Sequence, residues 1–443
     1  MSKTIPMSRR ITPFQLIIMG FAGVILLGAL ALMLPLSARS GTVTPFGDAL
    51  FTATSAVCVT GLVVQDTASY WSGFGQAVIL LLIQIGGLGV ITVAASFALL
   101  SGRKISLMQR SAMQEAVAAP QMGGIVRLTG FILRMTLTIE GIGALVMLPV
   151  FCHDYGARGV WMAVFHSISA FCNAGFDLMG TQEAPYVSLM GYASHPVINV
   201  TIMLLIVIGG IGFLTWDDVR TNGIPLRRYR MQSKVILVTT ALLILFPAMY
   251  FFFGEFAALP LGGRLAASLF QAVTPRTAGF NTVNLSQMTG AGQLIIIVLM
   301  LIGGSPGSTA GGMKTTTIAV LFANAMAVFG RREAPHFFGR RLEDSAIRSA
   351  ATILMIYLCL FLAGGWNISI SEGLPMGVCL FEAAIGTVGL SLGLTPGLGT
   401  VSRIVLILLM FLGRVGGLTL IYAALSTTKK RPSKLPQDKI TVG

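Results

Sequence analysis

Four stretches of this chain end an apolar run on a small polar cluster and a glycine: Val59-Thr60-Gly61, Asn173-Ala174-Gly175, Thr277-Ala278-Gly279 and Thr387-Val388-Gly389. No nucleophile–base pair or metal-ligand spacing accompanies them, so the chemistry open to them is that of the main chain. Glycine frees the backbone to turn carbonyl oxygens toward one point. Four such turns converging on a common centre would make a carbonyl ring, which replaces the hydration shell of a cation.

Each tripeptide closes a short segment that starts from a phenylalanine: Phe51, Phe165, Phe270 and Phe381 stand 10, 10, 9 and 8 residues before the glycine. The falling distance predicts either shorter third and fourth segments or a different alignment of the phenylalanines in those two copies. A second echo follows each copy, at Gly86-Gly87, Gly209-Gly210, Gly303-Gly304 and Gly413-Arg414. Small residues serve close helix packing in membranes, which is the role expected of Gly86, Gly87, Gly209 and Gly210. The third echo opens into Gly303, Gly304, Ser305, Pro306, Gly307, Ser308, Thr309, Ala310, Gly311 and Gly312. Five glycines from 303 to 317 and a proline do not make a stable helix interior, so an irregular loop inside an apolar span is predicted over 303–317, with Lys314 at its end. Gly307 to Lys314 approaches a phosphate-binding loop, but Met313 displaces the lysine and no strand precedes it, which sets nucleotide binding aside.

Charged residues at membrane depth narrow the reading further. Arg414 stands where the other copies carry Gly87, Gly210 and Gly304. A central arginine costs about 2.5–3.5 kcal/mol even on the lenient insertion scale, so it should face water below the ring, near 303–317, as an electrostatic barrier. Glu140 is expected to pair with Arg134 or a neighbouring helix. Arg276, three residues before Gly279, is expected to turn away from the ring toward Glu382 or Asp48. Asp66, Asp177, Glu183, Glu255 and Glu372 fall in outer loops and would make a mildly acidic vestibule, although surface solubility explains the same residues. The histidines show no ligand spacing, and the five cysteines, odd in number and in apolar context, predict no disulfides.

The elements that position these residues are helices in a membrane. The chain of 443 residues is 54% hydrophobic and 10% charged, against about 25% charged in a soluble protein. Eight spans are predicted, at 14–36, 75–100, 130–151, 197–216, 235–253, 292–329, 346–366 and 404–425. Of the 30 Lys and Arg, 22 cluster in alternate connections, the positive-inside pattern, which places both termini in the cytoplasm. The net charge of +14 is thus a topology signal, with no nucleic-acid partner expected; the basic inner segments are expected to bind anionic membrane lipid or to dock a soluble partner. Residues 46–57 are too short to cross and read as a half-helix that enters and leaves on one face; irregular backbone at that depth must line water or be buried in protein. The fold class is all-α integral membrane, four helix–half-helix–helix repeats arranged pseudo-fourfold around one pore. The divisions are a tail at 1–11, repeats at 12–110, 111–234, 235–341 and 342–426, and a tail at 427–443, with no cleavable leader expected. All four repeats run in one sense, which opposes an inverted-repeat transporter.

These motifs resemble the membrane subunit (KtrB type) of bacterial Ktr potassium uptake systems, in the Trk/Ktr/HKT superfamily. The resemblance runs from about Phe14 to Ala424 and is most specific at 54–61, 171–176, 274–281, 303–312 and 386–391. It implies a potassium-conducting homodimer in the plasma membrane, with potassium at Gly61, Gly175, Gly279 and Gly389 and a gate built from 303–317 with Arg414. It also implies sodium as an activator and a cytosolic KtrA-like nucleotide-binding ring, so that ATP or ADP belongs to the partner and this chain carries no cofactor. Glycine at the first filter position marks potassium-selective members, serine some sodium-selective plant relatives. Thr387-Val388-Gly389 also matches the start of the potassium-channel Thr-Val-Gly-Tyr-Gly run.

Overall fold

The structure, a computed structural model, describes residues 12–100, 106–118, 123–223, 225–384 and 388–416. The predicted tails, Thr387 and the end of the last predicted span lie outside the described residues.

A long helix, a short helix and a further helix follow one another four times. The first set is α1 (Pro13–Met33), α2 (Phe46–Val57) and α3 (Gly73–Leu88), continued by α4 (Val90–Leu100) and a connecting α5 (Leu107–Val117). The second is α6 (Ile125–Tyr155), α7 (Arg158–Phe171) and α8 (Pro196–Gly210), continued by α9 (Phe213–Asn222). The third is α10 (Met231–Tyr250), α11 (Leu261–Val273) and α12 (Gly290–Leu301), continued beyond a break by α13 (Thr315–Phe329). A small hairpin, β1 (His336–Phe337) and β2 (Arg340–Arg341), leads to α14 (Asp344–Glu372), α15 (Met376–Ala384) and α16 (Thr400–Val415).

Local chemistry sets these boundaries. Thr12 and Gln15 cap α1 reciprocally, at 3.2 and 3.1 Å, with Pro13 in the first turn where its missing N–H leaves nothing unpaired. Ser72 caps α3, and Thr289 caps α12. Four helices among the described residues are long and apolar enough to cross a membrane: Pro13–Met33, Ile125–Tyr155, Met231–Glu255 and Asp344–Glu372. Their outer faces carry Leu27, Leu145, Phe246 and Trp366, each more than half exposed, as a lipid-facing surface requires.

The spans expected to run unbroken over 75–100 and 197–216 do not. The chain bends 97° between α3 and α4 and 95° between α8 and α9. The cause is a glycine two residues beyond each of the pairs Gly86-Gly87 and Gly209-Gly210: Gly89 (φ +86°) and Gly212 (φ +94°) have the positive φ that ends a helix, and Gly416 (φ +90°) ends α16 in the same way. Of the four glycines expected to pack closely, Gly86, Gly87 and Gly209 do, whereas a Cβ on Gly210 would meet only Asn173 Nδ2 at 3.9 Å. A Cβ on Gly86 would collide with Val57 O, and one on Gly209 with Phe171 O, so each further helix rests on the carboxyl end of a short one.

The short helices form the core. Phe51, Phe165, Phe270 and Phe381, the repeated anchors, are at most 1% exposed, so each contributes about the 1.5–3 kcal/mol of a fully buried large apolar side chain. The first three short helices run to 12, 14 and 13 residues, so the third is not shorter as expected, and the fourth is described from Met376 to Ala384, with residues 385–387 outside the described residues.

The first and fourth sets are joined by a charge contact. Arg403, in the first turn of α16, donates to Asp48 Oδ1 on α2 at 2.8 Å and to Pro396 O at 3.0 Å, while Gln65 Nε2 donates to Asp48 Oδ2 at 3.1 Å. We predict that Asp48→Asn costs about 1–3 kcal/mol, the range for hydrogen bonds to a charged group. A lowered thermal midpoint, partly regained when Asp48→Arg and Arg403→Asp are combined, is the expected result.

Candidate functional site

The four glycine segments meet. Gly61, Gly175, Gly279 and Gly389 all have positive φ, at +88°, +70°, +82° and +74°. A Cβ on Gly61 would stand 2.5 Å from Ala174 O, and one on Gly175 2.6 Å from Ala278 O. On Gly279 it would strike Val388 O, and on Gly389 Thr60 O, both nearer still. Each segment therefore leans its glycine on the carbonyl of the next, and the fourth returns to the first: a closed ring with no room for a side chain. Val59, Asn173 and Thr277 also have positive φ, at 56°, 58° and 72°. Non-glycine residues pay roughly 1–2 kcal/mol each for that conformation, so the surroundings must hold it.

The holding contacts come from the short helices. Thr60 N and Ala174 N donate to Ser55 O and Ser169 O, both at 2.8 Å. Ser169 Oγ reaches Phe176 O at 2.7 Å and Thr274 Oγ1 reaches Phe280 O at 2.6 Å, each just past the ring glycine. A further brace stands directly after three of the anchor phenylalanines. His166 Nε2 accepts from Leu178 N at 3.3 Å while its Nδ1 donates to Met162 O at 2.7 Å. Gln271 Nε2 donates to Asn281 Oδ1 at 3.4 Å. Glu382 accepts from Ser391 Oγ at 2.7 Å, Leu392 N at 3.0 Å and Thr395 Oγ1 at 2.9 Å. Sequence reasoning missed these braces, assigning His166 nothing and Glu382 to Arg276. The available signal was a buried polar residue in one register after each repeated phenylalanine.

Outside the ring lies a cavity of about 130 Å³ lined by all four glycines together with Asp177, Asn281 and Ser391. Burial, with Asp66 nearby, pushes the Asp177 carboxyl up to about 7. Among the five outer acids expected to line a vestibule, Asp177 alone lines this cavity. Asp66 is buried and accepts from Ala68 N, Ser69 N, Ser69 Oγ and Tyr186 N, tying two outer loops together. Glu255 accepts from the amide and hydroxyl of Thr289, and Glu372 from Gly399 N and Ser402 Oγ, at the starts of α12 and α16. Carboxylates at helix amino ends are stabilised there by the helix dipole. Glu183 is exposed.

Inside the ring is a larger cavity, about 320 Å³, lined by the ends of α3 and α5, by Pro306, Gly307, Ser308, Ala310, Gly312 and Lys314 of the break, and by Arg414. The break is stitched to its surroundings by main-chain bonds: Ser305 N to Gly210 O at 2.9 Å, Thr309 N to Gly209 O at 3.2 Å, and Phe213 N to Gly307 O at 2.7 Å. Gly303 N to Met313 O (2.8 Å) and Thr315 N to Gly304 O (3.0 Å) close it on itself. Thr309 touches the ring itself, its Oγ1 accepting from Asn173 Nδ2 at 2.8 Å and donating to Phe171 O at 3.0 Å. Arg414 spans from this loop to the first set, donating to Thr309 O, Gly86 O and, at 3.0 Å, Gly87 O. Lys314 Nζ donates to Ala310 O at 2.8 Å.

Of the two alternatives for Glu140, the structure shows the neighbouring helix: its carboxylate accepts from Gln84 Nε2 of α3 at 3.2 Å and lies 3.8 Å from Cys172 Sγ, behind the second ring segment. The expected pairing of Arg276 is corrected. Arg276 finds neither Glu382 nor Asp48, which are engaged elsewhere; it turns from the ring toward Thr240 Oγ1 at 3.5 Å, and its Nε has no partner among the described residues.

Apolar helices packed around a buried waist of main-chain carbonyls, with a cavity on either side, define a helical membrane protein of the transport class. Residues 5–439 match the family described as TrkH, cation transport protein, and the chain belongs to that family. It is 38% identical to the potassium/sodium uptake protein NtpJ of Enterococcus hirae over 98% of both chains. It is 37% identical to the Ktr system potassium uptake protein B of Bacillus subtilis, covering 98% of this chain and 97% of that one. The Vibrio alginolyticus protein of the same name is 34% identical, over 97% and 94%. The crystal structure of the potassium transporter TrkH from Vibrio parahaemolyticus shares the fold, with a TM-score of 0.73 at 19% identity over 95% of this chain and 85% of that one.

Gly175→Ala would put a methyl against Ala278 O and force left-handed backbone costing about 1–2 kcal/mol on an alanine. Cation uptake by proteoliposomes should fall to background while the helical circular-dichroism signal is kept. Glu382→Ala strips three donors of their acceptor, an expected loss of about 1–3 kcal/mol for each one left buried and unpaired. Glu382→Gln, which keeps one acceptor oxygen, should retain more uptake than the alanine variant.

Proposed function

We propose that this chain is the ion-translocating subunit of a Ktr-type potassium uptake system in a bacterial plasma membrane. In this reading eight spans surround the ring with pseudo-fourfold symmetry, both termini lie in the cytoplasm, and the sets of helices correspond to the repeats at 12–110, 111–234, 235–341 and 342–426. The observation that carries it is the closed ring of four left-handed glycines between two cavities. Potassium sheds water on reaching the ring and is taken up by main-chain oxygens of 59–61, 173–175, 277–279 and 387–389. Further support comes from Thr60 Oγ1, Asn173 Oδ1 and Thr277 Oγ1, buried oxygens without a hydrogen-bond partner among the described residues. The short helices end beside the ring, so the negative ends of their dipoles favour a cation there.

The gate in this reading is the break at 303–317 together with Arg414. The guanidinium holds the loop against the end of α3 and sets a positive charge in the inner cavity, so both the steric and the electrostatic barrier rest on the same contacts. Flux requires the loop to leave Gly209 and Gly210. A cytosolic nucleotide-binding ring, in a complex with a homodimer of this chain, supplies the work; sodium serves as activator. The name of the Enterococcus relative, a potassium/sodium uptake protein, favours sodium as a second transported ion.

Expression in a potassium-uptake-deficient bacterium, with the cytosolic partner, should restore growth on limiting potassium; failure there sinks the potassium assignment. Gly61→Ser should raise sodium relative to potassium uptake. Arg414→Ala should give faster, less regulated flux, and unchanged transport with unchanged regulation would remove Arg414 from the gate.

A further inference from the structure

We propose that a pocket between the first turn of α6 and α9 binds the phosphate of an anionic phospholipid headgroup. The pocket encloses about 290 Å³, and its charged lining is Arg127, Arg220, Arg230 and Asp217, three cations to one acid. Asp217 is engaged by Arg230 at 3.7 Å. The Arg220 guanidinium lies over the Phe131 ring, 4.9 Å from its centre, which orients its planar fork. Arg127 extends from the first turn of α6 into the same space.

The main chain adds to this charge. α6, a helix of 31 residues, starts at Gly124 in left-handed conformation (φ +79°) with no side-chain cap, and Gly123 and Gly124 line the pocket. Its first-turn amides, with no side-chain cap among the described residues, and its positive dipole end favour an anion, and guanidinium forks match phosphate oxygens two at a time. The opposite wall is built firmly: buried Asp218 accepts from Arg230 N at 2.8 Å and from Asn222 Nδ2 at 2.7 Å. A lipid, rather than a free anion, is favoured by position. Phe131 and Leu214 give the pocket an apolar side, and farther along α6 Leu137 is 58% exposed on the surface that faces lipid. The pocket also sits at the end of α6 opposite Asp154, which bonds Tyr192 among the outer loops, and so among the basic connections where anionic lipid is attracted.

The test uses the full-length protein, stripped of lipid in a neutral detergent and followed by its thermal unfolding midpoint. Short-chain phosphatidylglycerol should raise the midpoint saturably, and short-chain phosphatidylcholine should not. Arg127→Gln with Arg220→Gln should weaken the phosphatidylglycerol response by roughly tenfold or more. The single Arg127→Gln, changed at an exposed side chain, serves if the pair does not fold. Arg331→Gln with Arg332→Gln, elsewhere on the basic face, should leave the response intact. An equal response to inorganic phosphate would assign the pocket to a free anion and overturn the lipid reading. An equal loss in the control pair, or none in the Arg127 and Arg220 variants, would overturn the site itself.

Discussion

Everything in this fold answers to one steric fact: the four glycines at the waist have no space for a Cβ and a backbone that side chains resist. Each Cα leans on a neighbour's carbonyl, so no segment can relax without its neighbour moving. The buried phenylalanines fix the depth of each short helix, and the serine, threonine, histidine, glutamine and glutamate contacts fix the chain that climbs away from the ring. The left-handed non-glycine residues just before it show that this support is spent against strain.

The inner side is organised by the opposite device, a chain segment with little regular structure. Residues 303–314 hold their place through main-chain bonds to Gly209, Gly210 and themselves, and through Arg414, which joins a carbonyl of the loop to two at the end of α3. Hydrogen bonds to carbonyls whose helices have ended are individually modest, and a handful of them can be exchanged together. A loop held in this way is suited to having two positions, which a packed helix is not.

Much of this was legible in the residues. The glycine at the end of each tripeptide, the anchor phenylalanine and the glycine-rich break each mark a feature that composition alone makes conspicuous. The bends at Gly89 and Gly212 were not, because an apolar run in a membrane reads the same whether or not a glycine within it is left-handed. Pairings were the least legible. Asp48 meets Arg403 across 355 positions and Glu382 bonds its own loop, while Arg276 lies near Thr240. Spacing along a sequence carries no information on such choices. The braces after Phe165, Phe270 and Phe381 differ in residue type from set to set, so only their shared register identifies them.

The Asp48–Arg403 contact has a bearing on how the protein is made. It links a helix near the start of the chain to one near its finish, and the waist is bounded on that side by residues 388–389. A polypeptide emerging from the ribosome has three of the four sides long before it has the last. The ring of glycines is therefore complete only once the last short helix has brought Gly389 against Thr60 O.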